Sequence, residues 1–250
     1  MQRPIFALQN LLLAALPVED LALISPHLAQ VELDRGRLIY DPGDRVDTIY
    51  FPHDGVLSLM TLMENGAAIE SATIGREGAL GLSAAVSPRT SLVRAIVQTP
   101  TRGVRISASH LHEAWQKSAR LRELVERHNE ALFGHALQSV GCNALHSVEA
   151  RFCRWLLTCH DRISNDTVAL TQEFLADMLG VQRTTVTAVA RALQAKGAIR
   201  YRRGVVDIVD RGVLESLACE CYGVIRRNYE RLLPDGGTPH PSESRRERAG

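Results

Sequence analysis

The chain has 250 residues, of which 45% are hydrophobic, 5% aromatic and 23% charged. This length exceeds that of one small module and suits one large or two ordinary domains, and the composition excludes a globally disordered, collagen-like or low-complexity protein. With 29 basic and 28 acidic residues the formal net charge is +1, which taken alone argues against a protein that binds nucleic acid.

The sequence predicts a cytoplasmic protein with no membrane partner. It contains no run of about 18 uncharged apolar residues, and its first five residues include a single basic residue and no small-residue cleavage site. The cysteines are few and odd in number, unlike a disulfide framework, and we expect reduced thiols: Cys142, Cys153, Cys159, Cys219 and Cys221.

Residues 5–28 have apolar side chains at helical spacing, and Pro17 starts a second short helix. From Val31 to Ile106 the pattern changes to short β-like runs, with Asn65-Gly66 as a hairpin signal. The spacing of the runs predicts an antiparallel sandwich or roll. The predicted strands are 38–40, 48–51, 56–60, 69–74, 92–98 and 104–106.

The chain then becomes helical, with predicted helices at 108–117 and 121–145. The longer one repeats an apolar or small residue every three or four positions, which favours contact with the same helix of a second chain. The alternative is a helix that lies on its own sheet. The repeating positions are 121, 124, 125, 128, 132, 136 and 140. Further on, helices are predicted at 148–159, 171–179, 182–196 and 213–233, strands at 198–201 and 205–209, and a disordered tail after Pro234.

Residues 171–191 have the spacing of a helix-turn-helix. Ala176 is small where the two helices touch, and Gly180 suits a turn with positive φ. Val186 and Val189 pack back on the first helix, for which Thr171 is a plausible N-cap. A helix and two short strands around Arg202-Arg-Gly204 follow, which predicts a winged helix-turn-helix rather than a plain helical hairpin.

Charge supports a DNA-binding role for this segment. Between Asp177 and Asp207 there is no acidic residue and there are six basic ones, Arg183, Arg191, Lys196, Arg200, Arg202 and Arg203. A solvated face is the simpler explanation of a charge run, but an acid-free run on a second helix and a wing favours phosphate contacts. The near-neutral total therefore averages a mildly acidic first part and a basic DNA-facing surface.

A β-roll, a long connecting helix and a winged helix-turn-helix in this order resemble the Crp/Fnr family of bacterial transcriptional regulators, over about residues 10–215. The similarity is strongest over residues 155–208 and rests on three motifs: Arg154-Trp-Leu-Leu, Leu170-Thr-Gln-Glu-Phe-Leu-Ala and Gly204-Val-Val-Asp-Ile. The resemblance implies a homodimer on two-fold double-stranded DNA, with RNA polymerase as a further partner.

The resemblance also implies residue roles. DNA base contacts are expected from Gln182, Arg183, Thr184 and Thr187, and backbone contacts from Thr171, Gln172, Arg191, Arg202 and Arg203. Thr184 stands where many members have an acidic base reader, and Ala188 where some have a second arginine. The operator sequences of the family are therefore not transferred to this chain.

In members that bind a cyclic nucleotide, a Gly-Glu-Leu-Gly-Leu loop is followed by Arg-Ser or Arg-Thr. Here the corresponding pocket residues are Gly78, Ala79, Leu80, Gly81, Arg89 and Thr90. Ala79 replaces the glutamate that bonds the ribose, and Glu77 is displaced by two residues. We therefore predict a degenerate pocket with an altered or absent ligand and no assigned cofactor; a cyclic-nucleotide-responsive regulator is the alternative.

Three other readings receive less support. Iron–sulfur relatives have clustered N-terminal cysteines, which are absent before Cys142, and Cys219 and Cys221 on one helix would point about 200° apart, so no metal ligand is assigned. Redox or metal sensing by the cysteines stays open, although any metal site would have to be built across elements. Haem sensing also stays open, with no histidine singled out by spacing. No catalytic motif occurs, which predicts a non-enzyme, and a protein-interaction module that binds no DNA is the alternative of a different class.

We therefore predict an α+β fold in four parts. These are a β-roll sensor with flanking helices (5–120), a dimerisation helix (121–146), a winged helix-turn-helix (147–233) and the tail (234–250). The function expected is sequence-specific, DNA-binding regulation of transcription under an unidentified signal.

Overall fold

The computed structural model describes residues 9–232 of the chain. The predicted helix start at 5–8, Leu233 and the predicted disordered tail at 234–250 lie outside this range. Within it, helices combine with antiparallel sheets, and the predicted α+β class is confirmed.

The helices are α1 (Leu11–Ala14), α2 (Val18–Ile24), α3 (Ala108–Lys117), α4 (Ala119–Leu145), α5 (Val148–His160), α6 (Gln172–Leu179), α7 (Arg183–Ala195), α8 (Arg211–Leu217) and α9 (Cys221–Leu232). The strands are β1 (Ala29–Leu33), β2 (Leu38–Tyr40), β3 (Thr48–Asp54), β4 (Leu57–Leu62), β5 (Ala68–Ile74), β6 (Arg94–Val97), β7 (Thr101–Ser107), β8 (Thr167–Ala169), β9 (Ile199–Arg202) and β10 (Val205–Ile208). None of the helices between residues 9 and 232 combines the length and apolar character that crossing a bilayer requires.

The first seven strands form the predicted roll from two antiparallel sheets, in the orders β1-β7-β3 and β2-β6-β4-β5. Side chains alternate between the two faces of each strand. Ile49 and Ile106 of the first sheet and Leu57 and Val97 of the second belong to one buried core. This shared core holds the two sheets together.

The roll confirms one prediction from the sequence and adds a strand that the sequence did not predict. The hairpin predicted at Asn65-Gly66 is confirmed, because these residues join β4 to β5 and Gly66 has φ +83°. Strand β1 was not predicted. It is a sheet edge in which only Leu33 is fully buried, so it lacks the alternation that marks a half-buried strand.

Serine caps start the two helices that leave the roll. The Ser107 hydroxyl accepts from the His110 N–H at 3.3 Å, and the Ser118 hydroxyl accepts from the Leu121 N–H at 2.8 Å. The second cap starts α4 at Ala119, two residues before the predicted position, and gives this helix 27 residues. One side of α4 packs on β5 of the roll and on α9.

The C-terminal unit has its own core. Phe152, Trp155 and Leu156 of α5 are buried in it, as the sequence predicts. Its sheet has the order β8-β10-β9. The short strand β8 was not predicted, since Val168 is its only fully buried residue.

The predicted helix 213–233 is wrong in its middle. Helix α8 ends at Leu217, Ala218 takes an extended conformation with ψ 150°, and α9 begins at Cys221. Cys219 therefore lies in a break and not on a helix with Cys221, so the angle assumed between their side chains does not apply. No Pro or Gly marks residues 218–220, which is why periodicity alone missed the break.

Candidate nucleic-acid interface

Helices α6 and α7 meet in the predicted helix-turn-helix geometry. The Thr171 hydroxyl caps α6 by accepting from the Phe174 N–H at 3.3 Å. Gly180 takes the left-handed conformation, with φ 60°, which a side chain would disfavour. Ala176 and Val186 are buried where the helices touch, so local residue choice fixes the angle between them.

The N-terminal end of α7 is open toward solvent. Gln182 is its N-cap residue but makes no side-chain capping bond, and the first turn contains no acidic residue. Gln182, Arg183 and Thr184 are all exposed. Because the partial positive charge of a helix N-terminus disfavours a cation, Arg183 does not serve helix stability there. Free N–H groups and a guanidinium together form a surface that attracts anions.

The remaining predicted contact residues on α6 and α7 differ in their exposure and in their hydrogen bonds. Arg191 is exposed, and Gln172 is half-buried in the first turn of α6. Thr187 is half-buried, and its hydroxyl donates to the Arg183 carbonyl at 3.0 Å. The proton of Thr187 is thus engaged within α7, whereas its methyl group and oxygen lone pairs are not.

The wing is a tight hairpin between β9 and β10. Its two loop residues, Arg203 and Gly204, have φ of 47° and 79°, the pattern of a type I′ turn. Arg202 and Arg203 are exposed at its tip. Positive φ is energetically unfavourable for a non-glycine residue. At this position the residue is Arg203, which places a cation at the tip of the wing.

The six basic residues between Asp177 and Asp207 fall into two groups in the structure, one paired and one unpaired. Lys196 forms an ion pair with Glu149, so it is not a free cation as the count of six assumed. Within the described residues the other five, all exposed, form no ion pair: Arg183, Arg191, Arg200, Arg202 and Arg203. Unpaired cations grouped on α7 and the wing are available for phosphates.

Comparison with known families agrees with this arrangement. A family model of the Crp-like helix-turn-helix domain matches residues 150–217, and one of the cyclic nucleotide-binding domain matches residues 30–118. The two together span more than half of the chain. The chain belongs to the Crp/Fnr family of transcriptional regulators.

Solved structures share the fold of this Crp/Fnr regulator. FixK2 from Bradyrhizobium japonicum has a TM-score of 0.65 and 17% identity, covering 77% of this chain and 98% of that chain. A Crp/Fnr regulator from Eubacterium rectale has a TM-score of 0.61 and 21% identity, covering 82% and 96%. CLP from Xanthomonas campestris, described as responsive to c-di-GMP, has a TM-score of 0.58 and 17% identity, covering 78% and 100%. No curated protein matches the sequence.

The loop at the predicted ligand pocket of the regulator is bonded to its own fold. Ala79 is buried. Burial lowers the pKa of His128 to about 4, so its ring is neutral and Nε2 can accept a hydrogen bond. Three consecutive N–H groups donate internally: Gly78 to the Gly75 carbonyl at 3.0 Å, Ala79 to His128 Nε2 at 3.1 Å, and Leu80 to the Tyr50 carbonyl at 2.8 Å. N–H groups that would cradle a phosphate are therefore already engaged.

The other predicted pocket residues lie near this loop. Val46 donates its N–H to the Arg89 carbonyl at 3.0 Å, and its side chain fills the space beside Gly81. Arg89 and Thr90 are exposed. The structure thus keeps the arginine at the surface while apolar side chains occupy the interior.

Contacts between the roll and the C-terminal unit were not predicted. Arg162, after α5, pairs with Glu77 at 2.5 Å, and their side chains are 6% and 14% exposed. A Cβ at Gly75 would collide with the Arg162 side chain, so glycine permits this close approach. Glu77, the displaced acid of the sequence motif, thus holds the two units together.

A buried carboxylate makes a second connection. Glu70 of β5 accepts from the Ser58 hydroxyl at 2.6 Å and from Trp155 Nε1 at 3.0 Å. Burial raises the pKa of Glu70 from 4.5 to about 7, against the opposing effects of Ser58 and nearby arginines. Beside it, Ile69 lies under Gly180 of the helix-turn-helix. The loop at the predicted ligand pocket and strand β5 therefore both contact the C-terminal unit, through Glu77 and Glu70 respectively.

The Glu70→Gln variant is expected to be more stable than the native protein at high pH. The folded-state pKa of Glu70 is above its unfolded value, so its contribution is fully present below pH 4.5 and lost as pH rises to about 7. The free energy of unfolding should match at pH 4.5 and favour the variant by up to about 3 kcal/mol above pH 7. Denaturant titration across this range measures it, with the exposed Glu64→Gln as control. A constant difference between the two proteins would contradict the assignment.

Helix α4 carries an exposed apolar face. Phe133, Leu137 and Val140 are 65%, 57% and 68% exposed, and their spacing places them on one side of the helix. The predicted partner-facing seam shares only Val140 with this face, and its residues Leu121 and Val125 are buried in the core of the roll. The first half of α4 thus follows the alternative of a helix on its own sheet, and the free face lies in the second half.

Proposed function

We propose that this Crp/Fnr regulator binds a two-fold DNA site as a homodimer, with the N-terminal end of α7 in the major groove. The observation that carries the proposal is the uncapped, acid-free start of α7, where Gln182, Arg183 and Thr184 are exposed. Free N–H groups and an unpaired guanidinium favour phosphates and base edges as the partner.

The residues have distinct proposed roles. Arg183 is suited to guanine O6 and N7, and Gln182 to adenine N6 and N7. Thr184 and Thr187 offer hydroxyl and methyl contacts to neighbouring bases. Backbone phosphates are assigned to Thr171, Gln172, Arg191, Arg202 and Arg203, of which the wing arginines reach the flanking duplex.

The exposed face of α4 is the proposed dimer contact. Phe133, Leu137 and Val140 form an apolar surface on a helix of 27 residues, and the same surface of a second chain is its natural complement in a two-fold pair. Dimerisation duplicates α7, which explains how one recognition helix would read two half-sites.

Selection of bound fragments from random DNA tests the proposed function. We expect an inverted repeat whose half-site centres are about one helical turn apart, roughly 34–36 Å. Recovery of fragments with no common sequence, or of a single unrepeated site, would contradict the proposal. A protein-interaction module without DNA binding would enrich no fragments.

The signal at the roll is proposed to differ from cyclic AMP and cyclic GMP. Ala79 offers no ribose partner, and the loop N–H groups are engaged in the fold. We expect no low-micromolar binding of either nucleotide in isothermal titration calorimetry, and such binding would contradict the proposal. Because CLP is described as responsive to c-di-GMP, that dinucleotide is the third ligand to titrate.

A signal would reach DNA through the contacts around β5. The loop at 75–81 touches α4 through His128 and the C-terminal unit through Glu77 and Arg162. A shift of this loop therefore biases the orientation of the two winged helices. RNA polymerase as a partner, a cytoplasmic location and the absence of catalysis stay predictions.

A further inference from the structure

A cluster of three cysteines and one histidine lies where α4 meets the α8–α9 break. Cys142 lies in the last turn of α4 and His146 is the C-cap residue one helical turn further on, while Cys219 lies in the break and Cys221 is the first residue of α9. The four ligand atoms all lie within 4.8 Å of one another. Residues separated by more than 70 positions are thus gathered at one point.

The separations suit a metal ion and not a disulfide. Cys142 Sγ is 3.5 Å from Cys219 Sγ, and Cys221 Sγ is 3.5 Å from His146 Nδ1. A tetrahedral ion with Zn–S of about 2.3 Å and Zn–N of about 2.0 Å separates its ligands by about 3.5–3.8 Å. A disulfide needs about 2.05 Å between sulfurs, and all these thiols are free.

Surrounding groups hold two of the ligands in orientation. Glu220 Oε1 lies 3.2 Å from His146 Nε2, which directs Nδ1 toward the cluster, as a carboxylate does for metal-bound histidine. Gln138 Nε2 donates to Cys221 Sγ at 3.0 Å. Both contacts leave the metal-facing lone pairs available.

The charge around the cluster also fits. The site with three thiolates, a neutral histidine and a divalent cation has a net charge of −1. Arg151 and Arg154 are buried nearby on α5. Arg151 donates to the Leu179 carbonyl and Arg154 also interacts with Glu70, but the Nε atoms of both have no hydrogen-bond partner among the described residues. Buried cations need a compensating negative charge, and the loaded site supplies one.

We propose that one thiophilic divalent metal ion, with Zn²⁺ preferred, binds the four side chains Cys142, His146, Cys219 and Cys221. Binding replaces three thiol protons, which pass to solvent, and changes no oxidation state. Buried cysteines commonly act as small hydrophobic residues, but that role requires neither the histidine nor its carboxylate. The ion would link the C-terminal end of α4, just before α5, to the start of α9. The inference goes beyond DNA binding and is independent of it.

Metal content of the reduced full-length protein is the first test. We expect one Zn²⁺ per chain by inductively coupled plasma mass spectrometry. Titration with Co²⁺ should give the visible ligand-field bands of a tetrahedral site and the near-ultraviolet thiolate band. Cys219→Ala should lose the bound Zn²⁺ and the Co²⁺ absorption bands. Cys159→Ala, which changes a buried cysteine of α5, should keep them.

A milder variant protects the test against a failure to fold. Glu220→Gln changes an exposed side chain and is expected to weaken metal affinity about 10- to 100-fold while keeping the cobalt spectrum. The proposal is overturned if the native protein binds neither ion, or if Cys219→Ala binds as the native protein does. Because no DNA is present, these results do not depend on the proposed operator binding.

Discussion

Replacing Arg183 with alanine is expected to weaken binding to the selected operator by about 1–3 kcal/mol for each half-site, roughly a 5- to 150-fold loss in affinity from each of the two copies. The guanidinium is exposed, unpaired and set at an uncapped helix N-terminus, so its removal costs the fold little. The loss should fall on one base pair of each half-site, since a bidentate arginine discriminates guanine. Filter binding with operators substituted at each position measures both effects.

Two other substitutions separate base reading from charge. Arg203→Asn keeps the wing, because Asn-Gly is favoured in a type I′ turn. It should weaken operator and random DNA alike and reduce the salt slope by about 1 for each wing, or about 2 for the dimer. Lys196→Ala removes a cation already paired with Glu149 and should change little. Unaltered DNA affinity in both Arg183→Ala and Arg202→Ala would refute DNA binding by this surface.

Charging the exposed face of α4 is expected to dissociate the dimer. In Phe133→Glu/Leu137→Glu each chain would bury two carboxylates without partners, at a cost of about 3 kcal/mol or more. Both side chains are more than half exposed in the single chain, so its fold should survive. Analytical ultracentrifugation should show a monomer, and operator affinity should fall because two half-sites are no longer bound together.

Leu92→Glu is the matched control for this variant. Leu92 is 89% exposed in the loop before β6 of the roll, and its substitution should leave the dimer intact. A double variant that remains dimeric and binds the operator normally would exclude this face as the contact. Circular dichroism of each variant distinguishes dissociation from unfolding.

Local patterns made the DNA-binding surface predictable. The spacing of Ala176, Gly180 and Val186 predicted two helices and their turn, and the arginines around Gly204 predicted the wing. These features depend on residues close in sequence, where turn conformation and helical periodicity act directly. The predicted seam on α4 included Val140 but neither Phe133 nor Leu137, because it was followed from positions such as Leu121 and Val125 that the roll buries.

Long-range contacts were beyond the sequence. Glu70 and Trp155 are 85 residues apart, and neither periodicity nor composition indicates that a buried carboxylate would meet an indole. The break at 218–220 contains no Gly or Pro that would mark it in the sequence. Tertiary packing overrides local helix propensity there, and local propensity is all that the sequence pattern reports. The cysteine cluster follows from that break and was therefore missed.

In the proposed complex, two copies of α7 read a two-fold DNA site in register. Insertion of about five base pairs between the half-sites of the selected operator turns one half-site to the opposite face of the duplex. Measured by filter binding with full-length protein, affinity for this DNA should fall to that for random DNA. Affinity equal to that of the unmodified operator would show that the two α7 helices do not read a two-fold site together.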